Sequence, residues 1–366
     1  MNNKKPNCMP ALIGGFGKTS TSFYNKLNFW LLPRFYTFST LSKNLIKPMS
    51  TLSSKEDKTN YISKANSQFG PYLAGLIEGD GSIAVHESTS KNQRFSPKII
   101  VVFHLSDLPL AEYLQKITEC GKVYHKKDAG YVLWQIQDLQ GVFKLINYIN
   151  GYMRTPKIEA LHRAINWYNT YNQTKSLNNI LKNDGLDFNI NLLPLDKSPI
   201  NSNSWLAGFT DADGNFSITI TTRKKNNKLG GLRVQTFFRI ELRQSYHRDV
   251  SLDLGGISYF SILTQISSYL GVNLYTRTRN VKDKVYYSFM VISHNKLSHE
   301  QVRTYFNTFP LYSSKYLAYK DWCKVQDLQL EKIMTKDYIE ECKEIKSRFN
   351  SNRKIFNWDH LKNLTL

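Results

Sequence analysis

The sequence predicts an α+β protein built from two pseudo-symmetric halves, each with antiparallel strands covered by helices on one face. Three observations carry that expectation. A segment occurs twice, as YLAGLIEGDGSI at 72–83 and WLAGFTDADGNF at 205–216, an offset of 133 residues (205 against 72). The stretch after each copy repeats the same order of strand-like and helix-like patterns, which is the signature of an internal duplication. The chain has 366 residues, 41% of them hydrophobic and 13% aromatic, enough to bury one long core shared by two halves.

In the first half, period-two alternation marks strands at about 82–87, 98–106, 122–126 and 131–137, with helical spacing near 108–119 and 139–150. The second half gives strands at about 215–222, 232–244, 274–279 and 284–292, with helices near 257–270 and 298–307. Each half then closes on a basic-aromatic helix, from Thr155-Pro156-Lys157 to Trp167 and from Ser314-Lys315 to Trp322. The second half is longer, with loops expected at 223–231 and 245–256. An Asn-, Pro- and Ser-rich stretch from about 170 to 203 reads as the connector. The organisation is therefore a basic leader over 1–66, a first half over 67–185, a linker over 186–203, a second half over 204–326 and a helical tail over 327–366.

The repeated segment reads as a short helix that ends in Gly. Pro71 suits the first turn of copy one, Asn203 or Ser204 can cap copy two, and Gly81 and Gly214 release the chain into a strand. Gly75 and Gly79 share a helix face, as do Gly208 and Ala212. Small residues there let two backbones approach closely, which suits a seam between the halves. Residues two apart on a helix point about 200° away from each other, so Glu78 and Asp80 face different surroundings, as do Asp211 and Asp213. The acid just before the Gly lies at the helix end, where the halves open toward a ligand. A carboxylate there opposes the helix dipole by some tenths of a kcal/mol up to about 1, and a bound cation offsets that. Asp80 and Asp213, with the carbonyls of Gly79 and Ala212 beside them, make an oxygen-rich site suited to Mg²⁺. One such ending reads equally well as a helix stop with solvated acids; two in matching positions argue for a shared centre.

Charge narrows the ligand. Forty-nine Lys and Arg against 29 Asp and Glu give a net charge of +20, which attracts a polyanion through counterion release. Nucleic acid comes first and an anionic membrane surface second, although a structural RNA-binder would carry the same charge. No apolar run has the length of a membrane span. Cys8, Cys120, Cys323 and Cys342 form no CxxC pair, which argues against a zinc ribbon or a disulfide framework. Gly14 to Thr19 imitates a phosphate-binding loop, but Leu12 stands where that loop needs Gly. The DxDG ending is too short for a calcium loop, and His294-Asn295 is an isolated pair. Residues 1–55 contain no Asp or Glu, a composition fitting an organellar, mitochondrial, transit segment or an untrimmed leader.

The strands of the second half offer a face for a duplex. Asn215, Ser217, Thr219, Thr221 and Arg223 alternate with Phe216, Ile218 and Ile220. Arg233, Gln235, Arg239 and Arg243 alternate with apolar residues, and Tyr275, Arg277 and Arg279 extend the polar side. Arg, Gln and Asn match base edges in a major groove, which admits a ribbon of strands; Glu241 is the acid among them. The first half is weaker, since Lys98, Ile100, Val102 and His104 share a face.

LAGLIEGDG at 73–81 and LAGFTDADG at 206–214 resemble the two signatures of double-motif LAGLIDADG proteins, homing endonucleases and intron maturases of the fungal mitochondrial type. PLDKSP at 194–199 also resembles the connector of such members. The resemblance spans about 69–325. It implies a saddle of two αββαββα-like halves, binding double-stranded DNA as a monomer, with Asp80 and Asp213 each hydrolysing one strand with Mg²⁺. It implies further that Lys157 and Lys315 act around the scissile phosphates, and that Gln244 is the polar residue ending the second strand of half two. Asp107 stands for that residue in half one, a departure from the pattern. Two other functions follow from the same family: an RNA maturase assisting its own group I intron, and a non-cleaving DNA-binding regulator. The second is disfavoured by the presence of both aspartates.

Overall fold

The computed structural model describes residues 68–85, 96–126, 129–177, 189–225, 228–282, 284–330 and 336–365. The leader and its loop-like Gly cluster lie outside the described residues. The first half runs α1 (Phe69–Asp80), β1 (Gly81–Ala84), β2 (Lys98–His104), α2 (Leu108–Thr118), β3 (Lys122–Lys126), β4 (Tyr131–Ile136), α3 (Leu139–Ile149) and α4 (Ile158–Leu177). The second runs α5 (Trp205–Asp213), β5 (Gly214–Lys225), β6 (Lys228–Arg243), α6 (Phe260–Tyr269), β7 (Leu274–Val281), β8 (Lys284–Ser293), α7 (Lys296–Thr308) and α8 (Lys315–Leu330). A last helix, α9 (Lys336–Ser347), follows. Among the described residues no helix is long and apolar enough to cross a membrane.

The sheets have the same wiring, β1-β2-β4-β3 and β5-β6-β8-β7, all pairs antiparallel. Alternation sorts each strand into two faces. Ile99, Val101, Phe103, Val132, Trp134 and Ile136 are buried beneath the helices in half one, and Phe216, Ile218, Val234, Phe238, Ile240 and Val291 do the same in half two. Each such side chain contributes about 1.5–3 kcal/mol when fully buried. The α+β expectation of two matched halves therefore holds.

Several boundaries differ from the sequence reading. The loop expected at 223–231 is mostly strand, because β5 runs to Lys225 and β6 starts at Lys228. The connector expected from 170 begins later, since α4 continues to Leu177. The helix expected to end near Trp322 runs on to Leu330. Its continuation, α9 and the following residues pack against half two and bury Tyr338, Cys342, Ile345, Phe349, Leu361 and Leu364. The tail also reaches half one, where the Tyr113 hydroxyl donates to the Leu364 carbonyl at 3.0 Å.

The two motif helices form the seam. A Cβ on Gly75 would collide with the Trp205 carbonyl and stand 2.7 Å from Phe209 N, and one on Gly79 would overlap the Ala212 Cβ. Both helices are buried along most of their length, so the sequence ladder of small residues is the contact itself. Gly81 and Gly214 end the helices in extended conformation, φ −91° and −77°, not in the left-handed region. Their requirement is space: a Cβ would press on Ile77 and Thr210 respectively. Ser204 occupies the N-cap of α5 without capping it; its hydroxyl donates to the Gln68 carbonyl across the seam. Asn203 supplies the local bond, its Oδ1 accepting from Trp205 N at 3.1 Å.

Candidate active site

The last residue of each motif helix delivers one aspartate to the same end of the seam. Asp80 and Asp213 close their helices, and a Cβ on Gly79 would stand 3.2 Å from Asp213 Oδ2. The carboxyl groups are close enough to feel each other. Asp80 keeps an exposed edge, yet the mass of both halves around its carboxyl strips enough water to push its pKa up to about 6, with the Asp213 charge adding to the rise. Burial likewise raises Asp213, against the pull of Lys315, Lys157 and Arg243.

The predicted lysines are at the same place. Lys157 Nζ donates to the carbonyls of Ile77, Gly79 and Gly81 at 3.1, 3.2 and 2.8 Å. Lys315 Nζ donates to those of Thr210 and Ala212 at 3.1 and 2.5 Å. Each lysine thus satisfies the orphan carbonyls at the C-terminus of its half's motif helix, where a cation is favoured by the dipole. The Gly79 and Ala212 carbonyls, taken from sequence as metal-side groups, are therefore already engaged by ammonium donors. Burial lowers the Lys157 pKa, while Asp213, Glu78 and Asp80 pull it back up.

The other acid of each motif points away, as the helical spacing requires. Glu78 is buried and accepts from Arg154 N, Thr155 N and Oγ1, and Trp205 Nε1, at 2.5–3.1 Å. Asp211 accepts from Tyr72 Oη, Tyr312 N, Ser313 N and Ser313 Oγ, at 2.5–3.2 Å. Burial pushes the Asp211 pKa up to about 6 and also raises Glu78, while these donors oppose the shift. Both acids receive the chain just before Lys157 and Lys315. Sequence spacing placed them off the centre but gave no sign of their partners, which lie 76 residues or more away.

Gln244 follows β6; its backbone N donates to the Tyr287 carbonyl at 3.2 Å, and its carbonyl accepts from Tyr259 N. Gly214 pairs with Ile240 and Gly81 with Val101, so counting on from those partners, Leu105 and not Asp107 occupies the position of Gln244. Asp107 instead braces the start of α8, where its Oδ1 accepts from Ser314 N at 2.6 Å. Its charge adds to the rise of the Asp80 pKa. The two sides of the centre are thus unlike, with Arg243 near Asp213 and Asp107 near Asp80.

A cavity of about 670 Å³ opens beside Asp213 between β1 and the chain after β6. Lys157, Arg163, Arg243, His247 and Arg248 line it. Burial and the Arg243 and Arg248 charges lower the His247 pKa. Arg163, His247 and Arg248 were not singled out from sequence, because they stand in a helix and an irregular loop without strand alternation.

The sheet register gathers most of the polar strand residues on one face. Asn215 pairs with Arg239, Thr219 with Gln235, Thr221 with Arg233, and Arg277 and Arg243 both with Ser288; Ser217 and Arg279 fall on the same alternation. Arg223 stands where the β5–β6 register slips, outside the ladder. Glu241 is the hub of this face: Arg277 and Arg279 donate to it, Ser288 donates at 2.9 Å, and Arg239 lies 4.0 Å away. Burial opposes its ionisation, but the Arg279 and Ser288 hydrogen bonds and the Arg279 and Arg277 charges hold its carboxyl below the usual range. The matching face of half one carries half-buried Ile100, Val102 and Leu133, the apolar character expected of it.

Among the described residues, no group of three or more His, Cys, Asp and Glu is placed to hold a metal. The donor set of the seam is two hard carboxylates, which suits a Mg²⁺ ion that keeps waters and takes substrate phosphate oxygens as further ligands.

Comparison with known proteins bears on the family and the fold. The family model described as LAGLIDADG endonuclease matches residues 73–168 and 206–326. The chain is 41% identical to the intron-encoded DNA endonuclease aI3 of Saccharomyces cerevisiae, over 98% of this chain and 82% of that protein. It is 28% identical to the intron-encoded RNA maturase bI4 of the same yeast, over 59% of this chain and 28% of that protein. Among solved structures, the LAGLIDADG homing endonuclease I-GzeII in complex with its DNA target has the same fold, with a TM-score of 0.53 at 17% identity, covering 78% of this chain and 99% of that one.

Proposed function

The chain belongs to the LAGLIDADG endonuclease family, and from that premise we propose that it is a site-specific, Mg²⁺-dependent endonuclease that cuts both strands of a DNA duplex. The observation that carries this reading is the pairing of Asp80 with Asp213 at one end of the seam, each beside a half-buried lysine. Bound between these carboxylates, Mg²⁺ would supply charge neutralisation at the phosphodiester and a more acidic water. The chain's own residues do the rest. Asp80 and Asp213 hold the cation, and their raised affinity for protons reflects a desolvated acid pair that a cation relieves. Lys157 and Lys315 keep positive charge beside the scissile phosphates, one for each strand. Gln244 is the auxiliary polar group on the second half.

The Arg-rich face of β5–β8 binds the duplex, Arg233, Gln235, Arg239 and Arg243 with Arg277 and Arg279 meeting base edges and phosphates. Duplication within one chain supplies both catalytic halves, so the active species is a monomer. Relatives encoded by introns in fungi fit a role in intron mobility and a mitochondrial location. The test is cleavage of a duplex carrying the uninterrupted insertion sequence by the purified chain with Mg²⁺; absence of cutting at all divalent-cation concentrations refutes the reading. A second function, assistance to splicing of the host intron, is favoured by the likeness to the maturase. Its measure is unspliced precursor RNA after disruption of this reading frame.

A further inference from the structure

Each copy of the repeated motif sequence begins with an aromatic residue, Tyr72 or Trp205, whose polar atom is bonded into the other half's motif. The Tyr72 hydroxyl donates to Asp211 Oδ2 at 2.8 Å. Trp205 Nε1 donates to Glu78 Oε2 at 2.5 Å. Both aromatic side chains are fully buried. The acids they reach are the ones that hold the start of the lysine-bearing segments. Asp211 receives Tyr312 N, Ser313 N and Ser313 Oγ, just before Lys315. Glu78 receives Arg154 N, Thr155 N and Thr155 Oγ1, just before Lys157. A buried carboxylate needs every donor it has, because an unmet lone pair in the core is expensive. Here one donor to each acid comes from across the seam.

We propose that Tyr72 and Trp205 are crossed positioning residues: Tyr72, through Asp211, sets the place of Lys315, and Trp205, through Glu78, sets the place of Lys157. Neither aromatic touches a reacting atom. Each lysine's ammonium is held by its own half's motif helix, while the segment that leads to it is tied to the opposite half's motif, and the two cutting centres are thereby held in one mutual geometry. Loss of the Tyr72 hydroxyl leaves Asp211 with only same-half donors, so the Tyr312–Lys315 turn loses its hydrogen-bonded tie to α1 and keeps the edge-to-face contact of the Tyr72 and Tyr312 rings and the Ser314 bond to Asp107. The inference rests on the proposed role of the lysines at the two scissile phosphates.

Two measurements on the full chain test it. The first needs no DNA: hydrogen exchange followed by mass spectrometry. Tyr72→Phe, which keeps the ring, should speed exchange in the segment around residues 311–318 of half two and leave that around 153–160 unchanged. Trp205→Phe should do the reverse. Equal loosening of both segments, or loosening confined to the mutated residue's own half, overturns the proposal. If Trp205→Phe does not fold, Tyr72→Phe decides alone.

The second measurement is single-turnover nicking of a duplex of the uninterrupted insertion sequence, labelled separately on each strand. Tyr72→Phe should slow by about tenfold, the loss of one hydrogen bond to a charged group, the same strand that Lys315→Met slows. Trp205→Phe should slow the strand that Lys157→Met slows. Duplex affinity should stay within about twofold in both, since a positioning effect falls on the chemical step. A slowed strand that does not match the lysine variant, or equal slowing of both strands, refutes the crossed arrangement. If the unsubstituted chain cuts no DNA, the proposed function fails, and the exchange result still decides whether the positioning is crossed.

Discussion

Gly208 lies against Tyr72 so closely that a Cβ on the glycine would run into the Tyr72 carbonyl oxygen and stand 2.9 Å from Leu76 N. Gly75 stands in the same relation to Trp205 and Phe209. Backbone cannot yield as a flexible side-chain end does, so Gly208→Ala and Gly75→Ala should each destabilise the chain by about 3 kcal/mol, the upper range for overpacking. Denaturant unfolding measures this. A change below about 1 kcal/mol would mean that the two helices meet less closely than this.

Removing one carboxylate charge from the centre should separate binding from chemistry. Asp80→Asn or Asp213→Asn keeps the shape of the side chain and should lower double-strand cutting by a factor of about 10³ or more, in line with removal of a principal electrostatic group. Duplex affinity should change little, because the Arg-bearing strands are untouched. Cleavage assays beside gel-shift titrations give both numbers; a double mutant that still cuts shows the cation to be held elsewhere.

The raised Asp80 pKa, about 6, sets a direction for pH. Cation binding needs the ionised form, so cleavage at fixed Mg²⁺ should rise as pH climbs through about 6, and more Mg²⁺ should move the midpoint lower. For the cation-free chain the sign is opposite. The folded state holds the Asp80 proton more tightly than the unfolded one, so this group adds stability below its ordinary pKa and loses it as pH rises through about 6. Thermal melts with and without Mg²⁺ between pH 4 and pH 7 check both signs. A cation effect equal at the two ends would be incompatible with titration of this site.

Glu241 restrains the arginines of the proposed duplex-binding face. Glu241→Gln removes a negative charge that repels phosphate and frees the guanidinium groups near it. Affinity for unrelated duplexes should rise about tenfold, with a steeper dependence on salt, since each further neutralised phosphate adds roughly 0.9 to the log–log slope. Specificity should fall, measured as the ratio of affinities for target and scrambled duplexes. Unchanged nonspecific binding would place Glu241 outside the interface.

Local chemistry made much of this visible in the sequence. The 72–83 and 205–216 repeat gave the seam, the helix period separated Asp80 from Glu78, and strand alternation put Asn215, Arg239 and Arg277 on one face. What stayed hidden depends on long-range contacts. Neither Tyr72 nor Trp205 carries a local mark of the acid it reaches across the seam. Asp107 sat near enough to the strand end to be taken for the counterpart of Gln244, and only the β1–β2 register assigns that position to Leu105. Arg248 enters the cavity from a loop whose path no periodicity describes.

The tail is the other feature without a local signature, and it has a measurable consequence. Cys342 and Ile345 of α9, with Phe349, Leu361 and Leu364 beyond it, are buried. Asn350 Nδ2 donates to the Phe216 carbonyl in β5 at 2.9 Å, and Arg353 pairs with Asp321 of α8 at 2.5 Å. Removing the chain after Leu330 would uncover the face of α8 and β6 that these residues cover, together with the Tyr113 contact to half one. At about 1.5–3 kcal/mol for each large apolar side chain fully buried, the loss is several kcal/mol, so the melting temperature should drop by roughly 10 °C or more. The point variant Leu361→Asp should move it in the same direction by less. Cutting activity per folded molecule should fall as well, because the tail also holds the segment before Lys315, where His360 Nε2 bonds the Tyr312 carbonyl at 3.1 Å and the Tyr312 hydroxyl donates to the Asn363 carbonyl at 3.3 Å; a truncated chain that melts with the full one would show the tail to be an appendage without structural weight.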